Sequence, residues 1–354
     1  MIRTLNSLRF ILILMIMISH STLPITQGMH DYLGEFPVAI FFVISGFVLS
    51  LSYGERLEKE EVSNKHFFLS RIFKLYPLHL VIIAITIAMD WRLGNLGPWY
   101  QTLAHALLLQ CWVPTHHFIA CLNAATWFIS DILFFYLIFK YLYRWFMNKP
   151  WALVLSTTAI YILGYTAIAI SVKGDYSAGF VYFYPPFRLI DFSLGILLYR
   201  FYLSDRGKEA ITTLASSFSA IQSHLLDALI LLLSVGAYYL STLTMPNIRC
   251  AILYWIPAMI VVYYMIASDQ GKGWLTRILH HRILLWLGSI SMEIYLCHGL
   301  ALRLVQSIFL KIWGEDIPYL GLQFAISLIW VIFMAWICKK IIVRPIYNKL
   351  KIYR

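Results

Sequence analysis

Apolar residues run along this chain in long blocks, with polar residues confined to short breaks between them. A membrane-spanning helix needs about 20 mostly apolar residues. Blocks of that kind fall at 8–24, 34–53, 75–93, 126–143, 151–170, 186–202, 225–243, 250–267, 283–304 and 319–338. The pattern predicts an all-α, polytopic membrane protein with about ten transmembrane helices. The first block lacks an AxA-type cleavage site and carries His20, so it reads as a span rather than a cleaved signal. Residues 101–113 (QTLAHALLLQCWV) are apolar but short, and suit a re-entrant or interfacial piece. The longest polar stretches, 54–74 and 204–222, read as loops, and residues 1–354 read as a single membrane domain without repeats.

Composition agrees. Of 354 residues, 60% are hydrophobic and 13% charged, and the mean hydropathy is +0.74. Soluble domains are about a quarter charged. Disordered, collagenous and disulfide-stapled classes are excluded, and a soluble nucleotide-binding or barrel enzyme does not fit. The net charge of +11 does not point to nucleic acid. With ten spans and residues 101–113 not crossing, 22 of the 28 Lys and Arg residues fall on one side. Positive charge marks cytoplasmic loops, so both termini are expected in the cytoplasm. The basic tail, Lys339 to Arg354, reads as part of that orientation signal beside anionic lipid. The five cysteines are scattered, without metal-ligand spacing, so no metal is expected. Cys111 and Cys121 share one expected outer loop, which leaves a disulfide between them open.

A charged side chain at mid-membrane costs roughly 2.5–3.5 kcal/mol on insertion scales, so each one needs a reason. Arg9 and His20 lie eleven residues apart on the first span. That is three turns plus about 20°, which puts them on one face, about 16 Å apart along the axis. In FFLSRIFKLYPLH, Arg71 and Lys74 are three apart and share a face, with Tyr76 beside them on the expected cytoplasmic rim and Pro77 near the expected helix start. A same-face cationic pair suits phosphate groups, although plain orientation charge reads the same way. Glu35, His116, His117, Asp131, Arg188, Asp191 and His298 fall towards the outer side. Arg188 and Asp191 are three apart and can pair with each other. Glu293 and His298 are five apart and face different ways. Gly46 and Gly195 read as close helix contacts. Ser45 has no base at fixed spacing to make it a nucleophile.

These patches, in this order, resemble the membrane acyltransferase family 3, typified by bacterial O-acetyltransferases of surface polysaccharides. LNSLRFILILMIMISHS is similar to the family's LDGLRGIAAL-type opening, with Arg9 and His20 as its Arg-x10-His pair. FFVISGFVLS (41–50) resembles FFVLSGFL, and FFLSRIFKLYP (67–77) resembles FxxRRxxRxxP, with Lys74 in place of an arginine. TWFISDILFFYLIF (126–139), FRLIDFSLGILL (187–198) and LGSISMEIYLCHG (287–299) resemble three further patches. The glutamate common after the Trp-containing patch has no match here. Ile132 falls near its place, with Asp131 alongside.

The resemblance implies acetyl-CoA as acyl donor, a hydroxyl of a glycan or lipid-linked glycan as acceptor, and a bacterial inner membrane as location. It casts Arg9, Arg71, Lys74 and Tyr76 as contacts to the donor. His20 is then the expected general base, supported by Arg9, Asp131, Arg188 and His298. Arg188 or Ser45 would stabilise the oxyanion, and Asp131 or Glu293 would orient the base. Rival readings are a glycan or lipid transporter, the same fold moving another acyl group such as succinyl, and a scaffold.

Overall fold

The computed structural model describes residues 2–21, 23, 30–173, 179–250, 252–314 and 319–349. The described residues form helices joined by short turns, with no strand among them. In chain order the principal helices are α1 (Arg3–Ser19), α2 (His30–Leu49), α3 (Asn64–Arg92), α4 (Trp99–Ala106), α5 (Trp127–Asn148) and α6 (Trp151–Ser171). They continue with α7 (Pro185–Leu203), α8 (Ala220–Thr242), α9 (Ile252–Ala267), α10 (Arg282–Ser289), α11 (Ser291–Trp313) and α12 (Leu320–Cys338).

Eight helices, counted with their continuations, are long and apolar enough to cross a membrane among the described residues. The two other expected spans are helical as well. One is α1, with 17 residues, and the other is α7, which carries Arg188, Asp191 and Arg200. Residues 101–113 form no helix of spanning length. The eight-residue α4 ends there, and Leu108 turns the chain at φ 57°.

Several boundaries differ from the expected ones, and three of the differences matter most. α1 starts five residues earlier than expected, because its polar residues Thr4, Asn6 and Ser7 are buried against other helices instead of facing water. The Thr4 hydroxyl donates to the Met265 carbonyl at 2.5 Å, Asn6 donates to the Leu285 carbonyl at 2.8 Å, and Ser7 donates to the Leu279 carbonyl. α3 begins at Asn64, where the Ser63 hydroxyl caps it by accepting from the His66 amide. Pro77, expected near a helix start, therefore sits inside α3. The apolar block 283–304 is two helices that part at Ile290 (φ −108°, ψ 11°), two residues after Gly288, which packs so closely on α1 that a Cβ there would stand 1.9 Å from the Asn6 carbonyl oxygen.

The core is built where α2, α5 and α7 cross. Phe42 meets Phe135 edge to face with ring centroids 5.4 Å apart, and Phe135 packs tilted against Phe192 at 5.1 Å. Gly46 and Gly195 make that crossing possible. A Cβ on Gly46 would lie 2.0 Å from the Phe192 carbonyl oxygen, and one on Gly195 would lie 2.2 Å from that of Val43. Small residues let helix backbones approach where hydrophobicity alone supplies no drive for association.

Substituting Gly46→Leu is expected to abolish the folded protein, read as loss of the monodisperse peak in detergent size-exclusion chromatography. Gly164→Ala, whose added Cβ meets nothing within 4 Å, should leave that peak unchanged.

Candidate active site

The buried polar anchors at the start of α1 turn Arg9, on its second turn, into a cavity of about 590 Å³. A cavity of this size falls in the range of small-molecule sites. α1, α2 and its continuation, α3, α5, α10, α11 and the continuation of α12 wall it. At the end of the bundle where α1 begins, the cavity gathers Arg9, Arg71, Lys74, Lys339 and Arg344. Arg71 lies over the Tyr53 ring with its guanidinium carbon 4.3 Å from the centroid. Glu293 is the acidic member among the described lining residues and stands 3.9 Å from the Lys339 ammonium, which also donates to the Ser289 carbonyl. So many convergent cations in one water-accessible cleft form a site for a polyanion, since charge-assisted contacts to phosphate are the strong ones.

His20 and His298 form a second site. Their ring centroids are 5.4 Å apart. His20 caps the end of α1, exposed, and lines a small pocket with Gln306, Gln323 and Ser327. His298 is buried. Its Nδ1 stands 2.5 Å from the Tyr295 carbonyl, which can only accept. That contact puts the proton on Nδ1 and leaves Nε2 with its lone pair.

The two sites nearly meet. Ile16 lines the cavity, and the His20 amide donates to its carbonyl, so one helical turn, about 6 Å, separates them on α1. Tyr295 also lines the cavity, with its ring 5.5 Å from that of His298.

A third group lies apart. Arg188 and Asp191 are fully buried, 3.5 Å apart, as their spacing allows. Arg188 also donates to the Cys250 carbonyl at 3.1 Å and sits 5.1 Å from the centroids of Phe42 and Tyr182. Asp131 joins this cluster electrostatically. Neither Asp131 nor Arg188 lines the cavity or the histidine pocket. The guanidinium, paired with Asp191 on its own helix and tied to the Cys250 carbonyl, is a structural contact in a dry core, and removing it leaves buried charge uncompensated.

Other expected residues are placed as follows. Tyr76 does not line the cavity and instead donates to the Ala106 carbonyl at 2.7 Å, fastening α4 to α3. Ser45 lines the cavity, but its hydroxyl donates to the Phe41 carbonyl at 2.7 Å. Glu35 pairs with Arg249 through two contacts of 2.9 and 3.0 Å. Cys111 and Cys121 are free thiols with separate partners, the Trp127 carbonyl and Gln101, so no disulfide joins them. The side chains of His116 and His117 lie outside the described residues.

Sequence reasoning missed Tyr53, Lys339 and Arg344 as cavity residues. Lysine and arginine after a last span are indistinguishable from orientation charge until α12 is seen to continue along the cavity wall.

The described residues thus form a helical bundle in which a cationic cleft ends one turn from a histidine pair, an arrangement suited to group transfer. A family model described as Acyltransferase domain matches residues 2–339, and the chain belongs to this acyltransferase family. It is similar to Acyltransferase MdmB of Streptomyces mycarofaciens, with 26% identity over 292 residues covering 77% of this chain and 69% of that one. No solved structure matches the chain. The protein is a membrane acyltransferase.

Arg188→Gln is expected to cost about 3–5 kcal/mol, because it strands the buried Asp191. The check is a depressed melting temperature in detergent. Lys74→Gln, in the open cavity, should melt close to the wild type.

Proposed function

We propose that this enzyme moves an acetyl group from cytoplasmic acetyl-CoA to a hydroxyl of a cell-surface glycan, across a bacterial inner membrane. The observation that carries this reading is the cationic cavity ending one turn from His20. CoA is a phosphorylated polyanion made in the cytoplasm, and the cavity's cations lie at the end assigned to the cytoplasm by charge. Arg9, Arg71, Lys74, Lys339 and Arg344 hold its phosphates, and Tyr53 keeps Arg71 in place. The thioester then reaches towards Ile16 and Tyr295. The acceptor approaches from the opposite face, where His20 is exposed.

The chemistry is an exchange of esters. The acceptor oxygen forms a C–O bond to the acyl carbon, the C–S bond breaks, and CoA leaves as thiolate. The proton of the hydroxyl passes to the His20 imidazole and from there to the thiolate. An imidazole suits this work because its ring nitrogen can accept a proton and release it again. His298, fixed by its Nδ1 proton on the Tyr295 carbonyl, directs its Nε2 lone pair as a hydrogen-bond acceptor. The balance is the same whether the acyl group passes directly or through an acyl-imidazole.

Two outcomes test this. His20→Ala should remove O-acetyl groups from the surface polysaccharide, read by proton NMR, while the protein stays at wild-type level in the membrane. Unchanged acetylation from that variant would overturn the assignment. Lys339→Gln should raise the apparent KM for acetyl-CoA about tenfold in membrane vesicles, the loss of one charged hydrogen bond of about 1.5 kcal/mol, with little change in kcat.

A further inference from the structure

We propose that the inner cavity admits only a short, uncharged acyl group, and that Phe41 sets the length it accepts. The inference rests on the donor-site reading above and narrows it to a substrate class.

The cavity changes character with depth. α1 climbs from Arg9 to Ile16, about 10 Å along the axis. α2 runs the other way, so Ser52 and Tyr53 stand at the cationic mouth, and Val38 and Phe41 stand deep. The deep wall consists of Ile16, Val38, Phe41, Leu78, Phe128 and Leu296. Two hydroxyls also face this region, and both are committed to backbone carbonyls. Ser45 donates to Phe41 at 2.7 Å and Tyr295 donates to Ala125 at 2.8 Å. No cation stands among the described lining residues at that depth.

The thioester end of the donor must lie there to come within reach of the histidines. A succinyl or malonyl group would carry its carboxylate into that apolar wall with nothing to pair it. Burying an unpaired charge in such a place is costly. An acetyl group brings only a methyl, which the wall accepts.

Length is limited by rings. Phe41 is half-buried, whereas Val38, Phe128 and Leu296 are buried, so it is Phe41 that projects into the free space. Its ring is 6.0 Å from that of Phe128, which is 5.5 Å from Tyr295. These three rings stand across the deep end. A longer acyl chain meets Phe41 before the thioester can advance, and a packed pocket discriminates by about tenfold or more per added methylene.

The test uses the full chain in lipid nanodiscs and measures Kd for CoA, acetyl-CoA, butyryl-CoA and succinyl-CoA. The wild type should bind acetyl-CoA about tenfold or more tightly than either butyryl-CoA or succinyl-CoA. Phe41→Ala should bring the butyryl-to-acetyl ratio close to one. Phe41→Arg should improve succinyl-CoA relative to acetyl-CoA by giving its carboxylate a partner. If Phe41→Ala does not fold, Phe41→Leu should move the ratio in the same direction. Equal binding of acetyl-CoA and succinyl-CoA by the wild type would overturn the charge selection. A butyryl-to-acetyl ratio unmoved in a folded Phe41 variant would overturn the length assignment. If CoA itself fails to bind, the donor-site reading falls, and this inference falls with it.

Discussion

Every charge inside an apolar bundle must find a partner or face water, and this constraint organises the molecule. The protein satisfies it in two ways that stay separate in space. Arg188 and Asp191, with Asp131 alongside, are shut away from water and answer one another. Arg9, Arg71, Lys74, Lys339 and Arg344 face a cavity, with Glu293 beside Lys339. The first arrangement ties α7 to the Cys250 carbonyl just before α9. The second leaves an excess of positive charge in a cleft, which is a costly arrangement for a bundle with no polyanion to bind.

The same division explains how the fold places chemistry. Gly46 and Gly195 bring α2 and α7 into backbone contact, which packs one side of α2 tightly. The other side of α2, with Val38, Phe41, Ser45 and Ser52, is left to line the cavity. Thr4, Asn6 and Ser7 tie the beginning of α1 to neighbouring helices, so Arg9 is fixed while His20 emerges at the far end. α1 thus sets the distance between the cationic cleft and the histidine pair.

Much of this was legible in the amino-acid pattern. Each of the ten apolar blocks is helical over most of its described residues, and the short segment 101–113 holds no helix long enough to span. The shared face of Arg71 and Lys74, the pairing of Arg188 with Asp191 and the close approach at Gly46 follow from helical spacing and residue size alone. What could not be read is anything that depends on which helices become neighbours. Tyr76 follows the cavity-lining Lys74 and Leu75 directly in sequence, but its hydroxyl is claimed by the Ala106 carbonyl, a tertiary contact without a local signal. His298 lies 278 positions from His20, so their contact needed the fold. The tail cations looked like orientation charge because that is also what they are, and only the continuation of α12 shows their second face.

The central claim is that the cationic cleft and the histidine pair are the two halves of one site. The most direct measurement is a cryo-EM structure of the protein in nanodiscs with CoA bound. The account predicts phosphate density against Arg71, Lys74 and Lys339, with the pantetheine arm running past Ser45 towards Tyr295. CoA bound elsewhere, with this cavity empty of ligand, would contradict it.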